Sequence, residues 1–128
     1  MQFLMVMTNA VEGTDEEFNA WYDGRHVADV LALDGFVAAQ RFVFTPTEGN
    51  PTAPYKYLAM YIVADGDIER AERALRASRE AARRAAAEGT ESPMPISATL
   101  SGERATWWFT SLGEQVTAES LQAAANGA

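Results

Sequence analysis

Residues 57–64 read Tyr57-Leu58-Ala59-Met60-Tyr61-Ile62-Val63-Ala64, a run without a single charge. Aromatic and β-branched side chains recur through it. Pro54 lies just before it, and Asp65-Gly66 closes it. The run therefore reads as the heart of a strand over residues 55–64. A strand with one solvated face alternates apolar and polar residues. Here Tyr57, Ala59, Tyr61 and Val63 share one face, and Leu58, Met60 and Ile62 the other. Both faces of the sheet that holds this strand need cover.

Working outward, residues 2–8 form another apolar run and read as the first strand. Thr14 is a good helix N-cap, with Glu17 three positions on as its capping-box partner. That helix should continue to Leu33 and stop at Asp34-Gly35. Residues 36–45 read as a second strand, ended by Pro46. Pro46, Pro51 and Pro54 mark a loop before the strand already described. Asp67 can cap a second helix running to Glu88 before Gly89. A last strand covers residues 104–112, centred on Trp107-Trp108-Phe109. The order is β-α-β-β-α-β. This is the α+β, ferredoxin-like arrangement of four antiparallel strands with two helices on one face. Residues 1–112 make this domain. Residues 113–128 are an Ala-rich tail, read as a frayed helix from Thr117 or no helix at all.

Two helices cover only one face of such a sheet. The other face would leave an apolar patch larger than a monomer normally tolerates. A homodimer joined through that sheet face is the economical solution. The alternative is a monomer whose tail folds over the sheet, but the tail offers few large apolar residues.

Composition narrows the function classes. The chain has 128 residues, with 10 Lys+Arg against 18 Asp+Glu and a net charge of −8, so a nucleic-acid binder relying on phosphate contacts is disfavoured. There is no cysteine and one histidine, which removes thiol nucleophiles and the usual zinc and copper ligand sets. No metal is expected, and neither is any other cofactor, since dinucleotide and P-loop signatures are absent. Haem through the one histidine is disfavoured by its acidic neighbours. The lack of cysteine fits a reducing cytoplasm. No apolar run approaches the length of a membrane helix, and the first residues lack a basic leader, so they read as structure.

The first helix carries the candidate chemistry. Phe18, Tyr22, His26, Val30 and Leu33 share a stripe that must face the sheet. The only histidine therefore points inward among aromatic and aliphatic side chains. Asp23 and Asp29 sit three positions to either side of it, and either can orient its ring. A half-buried histidine beside a carboxylate can take and return a proton near neutral pH. Tyr22, one turn earlier, can donate its phenol to a substrate oxygen. Trp21 and Arg25 flank the stripe. The competing reading is a packed histidine with one satisfied nitrogen.

The run Phe18-Asn19-Ala20-Trp21-Tyr22-Asp23-Gly24-Arg25-His26-Val27-Ala28-Asp29-Val30, with Asp34-Gly35-Phe36 and Arg41-Phe42 behind it, resembles the EthD-like branch of the dimeric α/β-barrel superfamily. The resemblance spans roughly residues 1–112 and is strongest over residues 21–26. It implies a ferredoxin-like protomer, a face-to-face dimer, and a pocket between sheet and helices. Relatives in that superfamily include cofactor-independent cyclases, isomerases, lyases, dehydratases and monooxygenases acting on polyketides and aromatic or lactone metabolites, and others with no assigned reaction, so the resemblance implies the fold and not one reaction. A proline commonly stands two positions after the signature histidine; here the residue is Ala28.

The second helix presents a thin stripe of Ile68, Ala71, Leu75, Ser78, Ala82 and Ala86, which can leave a hollow above the strand aromatics. Tyr57, Tyr61 and Trp107 are candidates to line it, and Ser78 is read as bonding back to its own helix. Arg41, mid-strand, is read as pairing at the dimer seam, and Asn9 as a strand stop. The arginines of the second helix are read as a solvated face paired through Glu69–Arg73, Glu72–Arg76 and Glu80–Arg84. Together these residues suggest a cofactor-free enzyme acting on a hydrophobic aromatic or polyketide-like carbonyl compound. The expected type is an isomerase or cyclase, then a lyase or dehydratase, then a monooxygenase. In this reading His26, Tyr22 and Asp23 are catalytic. Trp21, Arg25, Asp29, Tyr57, Tyr61 and Trp107 bind substrate. A non-catalytic small-molecule-binding homodimer is the alternative.

Overall fold

In the computed structural model, which describes residues 1–127, four strands form one antiparallel sheet in the order β2-β3-β1-β4. They are β1 (Gln2–Ala10), β2 (Phe36–Val43), β3 (Tyr57–Val63) and β4 (Leu100–Thr110). Between β1 and β2 runs a helix in three parts: α1 (Asp15–Trp21), a π-helical turn (Tyr22–His26) and α2 (Val27–Leu31). α3 (Ile68–Glu88) links β3 to β4. The tail forms α4 (Ala118–Gly127), close to the expected start at Thr117; Ala128, its last residue, lies outside the described residues. The β-α-β-β-α-β order and the strand order make this a ferredoxin-like fold, as the sequence predicts. No helix among the described residues is long and apolar enough to cross a membrane.

The strand register assigns the two faces. Leu4 pairs with Tyr61 on one side and Trp108 on the other, and Thr8 with Tyr57 and Arg104. These residues face the helices, where Phe18, Tyr22, Val30 and Ala71 close the core. The opposite face carries Phe3, Met5, Met7, Leu58, Met60, Ile62, Trp107 and Phe109. Among the described residues nothing covers it fully: Trp107 is 50% exposed, Phe109 44% and Phe42 40%. α4 has no buried residue and does not shield this face.

Several boundaries differ from the sequence expectation. β4 begins at Leu100 rather than at residue 104, because β1 is long enough to pair with it through Ala10↔Leu100. Thr14 donates its hydroxyl to the Val11 carbonyl (2.6 Å) and makes no side-chain cap, so the capping box with Glu17 does not form. Asp67 likewise makes no cap and meets Arg70 at 3.0 Å. Gly89 does end α3 in the left-handed conformation, with φ 69°. Gly35 (φ 95°) is required twice over. A Cβ there would also lie 3.0 Å from the Cβ and backbone nitrogen of Ala71, so the turn after α2 seats α3 directly on it.

The main departure is the π turn. A stripe of Phe18, Tyr22, His26 and Val30 repeats every four residues. On a 3.6-residue helix it would drift by about 120° over its length. One residue inserted as a π turn removes about 100° of that drift. The Val27 amide accordingly bonds the Tyr22 carbonyl, five residues back. Phe18, Tyr22 and Val30 are all buried as a result.

Candidate functional site

A cavity of about 870 Å³ opens between the helix-facing side of the sheet and α3. β1 and β4 supply its floor through Leu4, Val6, Thr8 and Trp108. The π turn supplies one end through Tyr22 and His26, and Tyr61 of β3 stands beside them. α3 supplies the roof through Leu75, Ser78 and Ala82, the small-residue stretch expected to leave a hollow. Met94 and Ile96, in the loop before β4, form a lip.

The π turn gathers the aromatic groups. Trp21 stacks on His26 with ring centroids 4.6 Å apart and an interplanar angle of 28°. Tyr22 meets the same imidazole edge-on at 4.9 Å. The Tyr61 hydroxyl donates to the Tyr22 hydroxyl at 3.2 Å, which leaves the Tyr22 proton free to point at a ligand. Burial raises the pKa of both phenols, so both stay protonated donors at neutral pH.

His26 is half-buried, and its Nδ1 is buried without a hydrogen-bond partner. Burial lowers its pKa to about 4; Asp29 opposes the shift, while Arg104 and Arg41 reinforce it. The imidazole is therefore neutral at pH 7 and available as a base. This corrects the expected orienting carboxylate. Asp23 turns away to accept from Arg41 Nη1 at 2.8 Å, and Asp29 accepts from Arg25 Nε at 3.3 Å. Neither hydrogen-bonds to His26, and Asp29 acts on it only through space.

The remaining candidates divide. His26, Tyr22 and Tyr61 come together in the cavity, with Trp21 stacked against His26. Tyr57 is buried but lies outside the cavity; it donates to Asp15 at 2.5 Å and accepts from Asn19 at 3.2 Å. Arg25 is half-exposed and does not line the cavity. Trp107 is not brought to the site, because strand alternation points it to the opposite face and sends Trp108 inward. Arg41 is not at a sheet seam: it faces the helix, and its Nη2 also donates to Asn19 at 2.8 Å. Ser78 does not bond back to its helix; its hydroxyl lies 4.0 Å from the Met94 sulfur. Asn9 does more than end a strand, since its side-chain amide donates to the Pro54 carbonyl and accepts from the Lys56 backbone N–H.

The cavity also draws on residues outside the predicted site. Trp108 and Arg104 share a parity on β4, and only the register shows which parity faces the helices. Arg76 and Arg79 line the cavity as well, although the sequence places them on a self-paired solvated face. Of the three expected pairs, only Glu72–Arg76 comes within 4.0 Å among the described residues.

The chain matches no protein-family model and no curated protein. Its structure is similar to the crystal structure of a mutant of SnoaB, a cofactor-independent oxygenase from Streptomyces nogalater. The TM-score is 0.53 at 18% sequence identity, over 88% of this chain and 95% of that one. At that identity the likeness shows a shared fold.

Proposed function

We propose that this protein is a cofactor-independent enzyme that removes a proton from an acidic C–H of a hydrophobic aromatic or polyketide-like carbonyl compound. The observation that carries this reading is His26. It is the only histidine, it is neutral at pH 7, it engages no carboxylate or other hydrogen-bond partner through its buried Nδ1, and its ring lines the cavity with Tyr22 and Tyr61, whose hydroxyls are linked. The imidazole takes the proton. Tyr22, supported by Tyr61, donates to the carbonyl oxygen as negative charge gathers there. That charge in turn stabilises the imidazolium, which burial alone disfavours. The carbanion can then be reprotonated elsewhere, close a ring or expel a leaving group. These outcomes are isomerase, cyclase and lyase chemistry.

Monooxygenase chemistry is a second reading, favoured by the fold shared with a cofactor-independent oxygenase. It begins with the same proton removal; dioxygen then adds to the carbanion to give a hydroperoxide, whose O–O bond breaks with loss of water to leave a new carbonyl. Membership of the EthD-like branch and assembly as a homodimer through the bare sheet face belong to the same proposal. They rest on the residue 18–30 run and on the exposed Trp107, Phe109 and Phe42.

Solvent-deuterium exchange into 2-tetralone, an aromatic ketone with an acidic benzylic C–H, tests the proton step. The native chain should accelerate exchange, and His26→Ala should lose about 10²–10⁴-fold of that acceleration. An undiminished rate in the variant would remove His26 from the mechanism. Oxygen uptake measured on the same probe separates the second reading from the first.

A further inference from the structure

The whole chain carries a net charge of −8, yet the cavity is lined by Arg76, Arg79 and Arg104 against a single carboxylate, Glu72. The Glu72 charge is already engaged. It accepts from the Trp108 indole N–H at 3.2 Å and meets Arg76 at 4.0 Å. Arg79 and Arg104 have no carboxylate within 4.0 Å among the described residues. For Arg79 this follows from sequence spacing, since its neighbours four positions away are Leu75 and Arg83. Arg104 stands on the helix-facing side of β4, opposite Thr8 and on the same side as Trp108. Its charge reaches both Tyr22 and His26, contributing to the pKa of each.

From this arrangement, and resting on the cavity reading above, we propose that the ligand is an anionic aromatic compound. Its rings lie between Trp108 and the Tyr22–Tyr61 pair, and its carboxylate or acidic hydroxyl meets Arg79 and Arg104. A neutral ligand would leave the exposed Arg79 and Arg104 paired with water alone. An anionic one satisfies two free guanidinium groups, which bind carboxylates through paired, charge-assisted hydrogen bonds.

The test compares anthraquinone-2-carboxylate with anthraquinone-2-carboxamide, which share their rings and differ in charge. Affinities are read by calorimetry on the full chain. The carboxylate should bind about tenfold more tightly, and added salt should narrow the gap. The Arg79→Gln/Arg104→Gln double variant should reduce the preference to about twofold or less while still binding the amide. Both positions are exposed, so folding should persist, and each single variant should show part of the loss. Equal binding of the two probes, or a preference that survives the double variant, overturns the inference. Ala82→Trp, which fills the cavity, separates the two levels. If both probes bind equally and this variant blocks both, the cavity reading stands and the anion inference falls. If neither probe binds the native chain, both fall.

Discussion

The Arg41 guanidinium lies 4.2 Å from the centre of the Tyr22 ring, and Arg41 itself stands outside the cavity that Tyr22 lines. It also donates to Asp23 and Asn19, so one β2 side chain grips the π turn at Tyr22 and Asp23. Its side chain is only 14% exposed, which strengthens a cation–π contact. The Asp23 arm is 67% exposed and contributes less, and the buried Nε without a partner offsets part of the gain.

Arg41→Ala should therefore destabilise the fold by about 2–3 kcal/mol. Arg41→Lys should lose less, because it keeps the charge but not the planar fork. Urea unfolding reads both. An unchanged midpoint for Arg41→Ala would mean the grip does not hold the helix.

His26 titrates with a pKa of about 4 in the folded chain, below the ordinary histidine value of 6.5. Between those values the unfolded chain binds more protons than the folded one. Stability from this group is fully present above pH 6.5 and is lost as pH falls toward 4. Arg41 from β2 and Arg104 from β4 disfavour the protonated ring, while Asp29 from α2 favours it. Because there is one histidine, its ring-proton NMR signal is unambiguous. Its inflection should fall near pH 4, and His26→Gln should flatten the acid arm of the stability curve relative to the native chain. An inflection near 6.5 would show an imidazole open to water.

The fold is legible in the sequence because period and punctuation agree. The uncharged run over residues 57–63 marks β3, and Gly89 ends α3, whereas α2 stops at Leu31, short of the expected Leu33 and Gly35. Within the site, His26 and Tyr22 follow from the i,i+4 stripe, and Tyr61 from its strand. Trp107 and Trp108 have equal claims as adjacent residues until pairing with Leu4 decides between them. Ion pairing is hidden too. Asp23 and Asp29 stand at helical distance from His26, but Arg41 and Arg25 capture the two carboxylates.

The bare sheet face should join two copies. Met60, at its centre opposite Met5 and Gln40, is the position where a charge would disturb that contact most. Sedimentation of the native chain should give twice the 13.9 kDa chain mass, and Met60→Glu should shift it to a single chain with unchanged far-ultraviolet circular dichroism. A native chain that sediments at 13.9 kDa would rule out the dimer and leave the exposed Trp107 and Phe109 without an account.

The π turn makes the last prediction. Gly24 lies within it, is exposed, and has open space where a Cβ would stand. Deleting it should restore an ordinary α-helical turn, since one residue is what separates the two geometries. Phe18 and Val30 would remain on the buried stripe, because shortening the chain between them by one residue keeps their angular offset near roughly 20°. Stability should then fall only modestly, by about 1–2 kcal/mol. The spacing between Tyr22 and His26 would shrink by one residue, turning the imidazole relative to the phenol. Proton exchange into 2-tetralone should drop about as far as in His26→Ala, while the protein stays folded. Retained exchange in a folded Gly24 deletion would show that the widened turn is not what aims His26.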